Sequence, residues 1–80
     1  MDLDLRKLRY FLAVAEGLHF GRAAEELHIA QPALSRQIRA LEHDLDAQLF
    51  TRDRHGVELT EAGRQLLADT GPLLASANAV

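Results

Sequence analysis

Apolar residues set the frame of this chain before any single motif does. From Leu5 to Ala15 they fall at Leu5, Leu8, Phe11, Leu12 and Ala15. That is the spacing of one helix face. Gly17 then reads as the residue just past the helix end, where a left-handed backbone is common. A second helix is predicted over about Arg22–Leu27, with Phe20, Ala23, Ala24 and Leu27 as its buried set and Gly21 as its N-cap. The paired alanines leave room for another helix to cross closely. A third helix follows over Gln31–Leu45, carried by Leu34, Ile38, Leu41 and Leu45. Only a few residues separate it from the second, and so short a connection forces two helices to meet at a large angle. That is a helix-turn-helix unit.

The period then changes. "QLFTRD" and "GVELT" are short extended runs on either side of "DRHG". Asp53, His55 and Gly56 suit a turn, while Phe50, Val57 and Leu59 suit strands. Thr60 is a good N-cap, and Glu61 sits well in a first helical turn. The last helix carries Ala62, Leu66, Leu67, Leu73, Leu74 and Ala77. Gly71-Pro72 falls more than two turns into it. Proline there costs about 3 kcal/mol, so the helix is expected either to kink there, the favoured reading, or to stop near Thr70 and restart. Three helices, a short β-hairpin and a further helix make a mainly α, winged helix-turn-helix chain. Residues 1–59 form the winged unit and 60–80 a C-terminal helix.

Composition narrows the function classes. Eighty residues, 48% hydrophobic and 26% charged, are one small globular domain. With no cysteine there is no disulfide framework and no thiolate metal site. The longest apolar run near the start, Phe11 to Ala15, is too short for a signal peptide or a membrane span. A cytoplasmic protein is expected, with no membrane partner. His19, His28, His43 and His55 are scattered, and no glycine-rich phosphate loop or paired nucleophile and base is visible. Neither an enzyme nor a metal or cofactor is expected.

The net charge is −3, which by itself argues weakly against a nucleic-acid partner. Distribution outweighs the sum. No acid stands between His28 and Leu41, where Arg36 and Arg39 lie; Glu42, Asp44 and Asp46 are held to the end and exit of the third helix.

Taken together, "RAAEELHIAQPALSRQI", "LEHDLDAQLFTR" and "LTEAG", in this order and spacing, resemble the N-terminal DNA-binding domain of LysR-type transcriptional regulators. The resemblance runs from about Leu5 to Leu74. It implies that the third helix lies in the major groove of double-stranded DNA with its front toward the base edges.

Pro32 then marks a helix start, because its missing N–H would have no partner in a first turn. Gln31 suits an adenine edge, and Pro32 and Ala33 a thymine methyl. Ser35 suits a phosphate or a base. Arg36 can pair with guanine in bidentate fashion or clamp a phosphate. Arg39, three residues on, faces a neighbouring direction. Arg22 either meets the DNA backbone or pairs with Glu25 or Glu26.

At the wing, the family often places arginine where this chain has His55, with Arg54 just before it. Neutral histidine is a weaker partner for the negative minor groove. Arg52 is expected near phosphate or paired with an acid. Two more departures are structural: Ala30 stands where serine often caps the third helix, and Asp46 where glycine is usual.

The resemblance further implies a homodimer through the last helix, with Leu66, Leu67, Leu73, Leu74 and Ala77 at the seam. It implies an interrupted palindrome as target, and an effector-binding domain beyond this chain. The rival reading is a small acidic dimerisation module that does not bind DNA.

Overall fold

Each helix begins and ends for a local reason, and some of those reasons differ from the sequence expectation. A computed structural model describes the backbone of residues 4–78 and the side chains of residues 4–72. Helix α1 spans Leu5–Gly17, and its N-cap Asp4 accepts a hydrogen bond from the Arg6 amide at 2.9 Å. Its buried face is Leu8, Phe11, Val14 and Ala15. Leu5, expected inside, is 47% exposed. Gly17 is the last helical residue instead of the cap: Leu18 takes the left-handed conformation (φ 51°), and its N–H reaches the Val14 carbonyl at 2.6 Å.

Helix α2 spans Phe20–Leu27 and starts before the expected Arg22. His19 is its N-cap. The imidazole Nδ1 accepts from the Arg22 amide at 3.0 Å, an acceptor that glycine at position 21 does not have. His28 ends the helix in a left-handed conformation (φ 59°). Its N–H bonds to Glu25 and the Ile29 N–H to Ala24, the paired bonds of a Schellman cap. The chain then reaches helix α3, Gln31–Leu45, with the bounds that the apolar spacing predicts.

Ala30 caps α3 without a side-chain bond, as expected, and Pro32 sits in the first turn. Asp46 closes α3 with φ 50°, its N–H on His43 and that of Ala47 on Glu42. A left-handed residue other than glycine costs about 1–2 kcal/mol, less for aspartate. Asp46→Gly relieves that strain while loosening the unfolded chain. A net gain of about 0.5 kcal/mol is expected, read as a melting point a few degrees higher; an unchanged or lower melting point would show that aspartate is unstrained there.

Glu42 does more than lend charge to the tail of α3. Its Oε2 accepts from the Leu49 amide at 2.7 Å and, more weakly, from that of Phe50 at 3.4 Å. The loop that leads into the hairpin is thereby tied to α3. Lys7 Nζ and Asp44 Oδ2, 2.8 Å apart, tie α1 to the end of α3, and this hydrogen bond holds the Lys7 ammonium above its ordinary pKa.

Strands β1 (Phe50–Asp53) and β2 (Gly56–Leu59) pair antiparallel, Phe50 opposite Leu59 and Asp53 opposite Gly56. Arg54 and His55 form the two-residue tip. Asp53 Oδ1 accepts from the His55 amide at 2.7 Å, and Gly56 takes φ 123°, a region closed to most side chains.

Helix α4 spans Glu61–Asn78. Thr60 caps it as expected: its hydroxyl accepts from the Gly63 amide at 3.0 Å and donates to the Gln48 carbonyl. The helix is continuous through Gly71-Pro72.

The core lies among α1, α2, α3 and the base of β1. Leu8, Phe11, Val14, Leu34, Leu41 and Leu49 are fully buried, each stabilising the fold by about 1.5–3 kcal/mol. Phe50 packs a tilted ring on Phe11 (centroids 5.4 Å apart) and meets Phe20 edge-on at 5.7 Å. Leu66 and Leu67, expected at the dimer seam, are half-buried against this same core. The side chains of Leu73, Leu74 and Ala77, the other seam residues expected, lie outside the described ones.

Candidate nucleic-acid interface

One edge of the domain combines the front of α3, the start of α2 and β1. The backbone of α3 decides which of its residues reach outward. Leu34, Ile38 and Leu41 point to the core and are buried, so the residues between them turn away from it. Gln31, Pro32, Arg36 and Arg39 are exposed, while Ala33 and Ser35 are half-buried at the margin.

Arg36 and Arg39 have no ion-pair partner among the described residues. The same holds for Arg54 and for Arg22, so the alternative pairing of Arg22 with Glu25 or Glu26 does not form. These four guanidinium groups thus stand on the surface without an ion pair among the described residues.

Arg52 is placed differently. Side chains alternate along a strand, so Arg52 shares a face with buried Phe50 and points back at the helices. Its guanidinium carbon lies 3.4 Å from the centroid of the Phe20 ring, and its Nη2 donates to Ser35 Oγ at 3.0 Å. Burial lowers its pKa most, the nearby charge of Arg39 adds to this, and Glu42 opposes both. It stays cationic at neutral pH, as arginine does in proteins. Of the two expectations for Arg52, pairing with an acid is replaced by a ring and a hydroxyl.

Two clefts follow from this arrangement. Ser35, Arg39, Glu42 and Arg52 line one between α3 and the hairpin. Gln31, His19, Gly21 and Arg52 line the other, at the start of α2. Gln31 therefore lies beside the α2 N-terminus, and a Cβ on Gly21 would stand 3.4 Å from its Oε1 and 3.2 Å from His19 Cε1. Arg22 lines a separate hollow with Glu16, Gly17 and Glu26, toward α1. Arg54 and His55 stand apart, exposed at the hairpin tip.

Sequence reasoning missed the parts played by Phe20, His19 and Glu42. Phe20 reads as a core residue and is one, but its ring also supports Arg52. No local spacing links the two, since they meet only through the fold.

This architecture has close counterparts. Residues 5–64 match the sequence profile described as "Bacterial regulatory helix-turn-helix protein, lysR family". The chain is 57% identical over 74 residues to the uncharacterized HTH-type transcriptional regulator YnfL of Escherichia coli strain K12, covering 92% of the chain and 25% of YnfL. It is 55% identical over 73 residues to the HTH-type transcriptional regulator TfdT of Cupriavidus pinatubonensis, covering 91% of the chain and 32% of TfdT. Among solved structures, the DNA-binding domain of BenM in complex with catB site 1 DNA superposes with a TM-score of 0.90. That pair is 43% identical, and the match covers 95% of this chain and 85% of that one. The chain thus spans about a quarter of YnfL and a third of TfdT. It belongs to the LysR family of bacterial regulatory helix-turn-helix proteins.

Proposed function

We propose that this chain binds double-stranded DNA sequence-specifically as the winged helix-turn-helix part of a LysR-type transcriptional regulator. The observation that carries the reading is the unneutralised cationic edge at the front of α3. Arg36 and Arg39 stand exposed there, beside a proline-started first turn and without an internal ion pair among the described residues. A dimerisation module needs no such edge. The BenM domain, 43% identical, is solved on DNA, which supports the same reading.

In this reading Gln31, Pro32, Ala33 and Arg36 meet base edges in the major groove. Ser35, Arg39 and Arg22 meet the phosphate backbone. Arg54, with His55, carries the hairpin tip toward the minor groove, while Arg52 stays behind it. Residues 1–59 do the binding, and the helix from residue 60 pairs two copies. Leu73, Leu74 and Ala77 supply the seam, with what Leu66 and Leu67 leave exposed. Two-fold pairing places two half-sites about 10 bp apart or a multiple of it. The regulator works in the cytoplasm, where bacterial DNA is, and carries out no catalysis. Its effector binds a domain outside this chain.

Titration onto duplex DNA over a salt series tests the reading. Affinity is expected to fall with a log–log slope of about −0.9 per neutralised phosphate. Affinity for every duplex that is weak and indifferent to salt would favour the acidic interaction module instead.

A further inference from the structure

Ser35 carries the one hydroxyl on the proposed reading edge of α3, and that hydroxyl already has a partner. Arg52 Nη2 donates to it at 3.0 Å, while the guanidinium carbon lies 3.4 Å from the Phe20 ring centroid. Three elements meet in this contact: β1 brings the arginine, α2 the ring and α3 the hydroxyl.

A guanidinium can only donate, and a serine hydroxyl has one proton and two acceptor sites. Arg52 thus takes an acceptor site of Oγ and turns the hydroxyl proton away from itself. Among the described residues the Ser35 hydroxyl makes no other hydrogen bond. Its proton is therefore unspent on a half-exposed margin of α3.

Building on the DNA-binding reading above, we propose that Arg52 is a positioning residue. It fixes Ser35 as a hydrogen-bond donor to a DNA phosphate and locks the hairpin to α3, so that phosphate grip and wing placement are one unit. A phosphate oxygen only accepts, so it matches a hydroxyl whose proton is turned outward and unspent. The ring contact explains why arginine suits this place. Lysine keeps the charge but has no planar fork to lie on Phe20 while reaching Ser35.

The test is a double-mutant cycle on DNA affinity with Ser35→Ala and Arg52→Lys. It uses two duplexes: one selected by the wild-type chain from a random pool, and a scrambled version of it. Ser35→Ala is expected to weaken binding about tenfold, equally on both duplexes, as loss of a phosphate contact does. Arg52→Lys should weaken both by a similar factor, and the double variant no more than either single one. A purely structural role for Arg52 predicts multiplying losses instead. Multiplying losses would overturn the coupling. So would a Ser35→Ala defect confined to the selected duplex, which would make Ser35 a base reader. Should Arg52→Lys fail to fold, Ser35→Ala still decides by its uniformity, and Ser35→Thr, which keeps the hydroxyl, should bind normally. A wild-type chain without salt-sensitive affinity for either duplex would overturn the DNA reading itself.

Discussion

Gly63→Ala is expected to destabilise the domain by about 2 kcal/mol or more, lowering the melting point by roughly 10 °C or more. The sign is the informative part. Within a helix, alanine normally gains up to about 1 kcal/mol over glycine. Here α4 packs its first turn against the loop before β1. A Cβ on Gly63 would fall inside the Leu49 carbonyl oxygen, 3.2 Å from the Leu49 carbonyl carbon and 2.9 Å from Leu59 Cδ2. That carbonyl cannot retreat cheaply. It accepts the Thr60 amide at 3.0 Å, and the amide of the same residue is held by Glu42 at 2.7 Å. Gly17 is the control, since nothing lies within 4 Å of a Cβ there; Gly17→Ala should leave stability unchanged or raise it. Thermal melts followed by circular dichroism compare the three proteins. A Gly63→Ala melting point at or above wild type would show that the loop yields.

This contact also shows what the sequence carries and what it does not. Apolar spacing, with Pro32 marking the start, places α3 at Gln31–Leu45, and the change of period places the hairpin. Both signals are strong because burial imposes a fixed repeat on each element. Helix ends were less legible. They rest on one or two hydrogen bonds each, and Leu18 in a left-handed cap or His19 as an N-cap has no compositional mark. Glycine at positions 17 and 21 is the conventional punctuation, yet at both places a neighbour serves. Long-range partners were not legible at all. Glu42 meets Leu49 seven residues on, and Arg52 meets Ser35 seventeen back; such pairs exist only once the hairpin has docked. The cover that Leu66 and Leu67 find is of the same kind, because it belongs to distant parts of the core.

Arg36→Ala is expected to remove most sequence-specific DNA affinity while leaving the fold unchanged. The two halves of that statement have separate grounds. Arg36 is exposed, makes no ion pair among the described residues and lies opposite the core face of α3. A surface substitution of that kind shifts stability by about 0.5 kcal/mol or less, and alanine suits a helix. On DNA the loss is of another order. A bidentate arginine–guanine pair discriminates by about 1–3 kcal/mol, a factor of about 5 to 150 in affinity. That loss should fall on the selected duplex and be smaller on the scrambled one. Arg36→Lys should recover non-specific binding but not discrimination, because an ammonium cannot match the two guanine acceptors at once. Arg39→Ala is the contrast: a residue on phosphate should lose affinity on both duplexes alike and flatten the salt dependence by about one unit. Titrations of the three variants against both duplexes separate the roles. If Arg36→Ala lowers the melting point as much as it lowers affinity, Arg36 supports the fold instead of reading DNA. If its losses match on both duplexes, it grips phosphate, and base recognition passes to Gln31, Pro32 and Ala33 at the start of the helix.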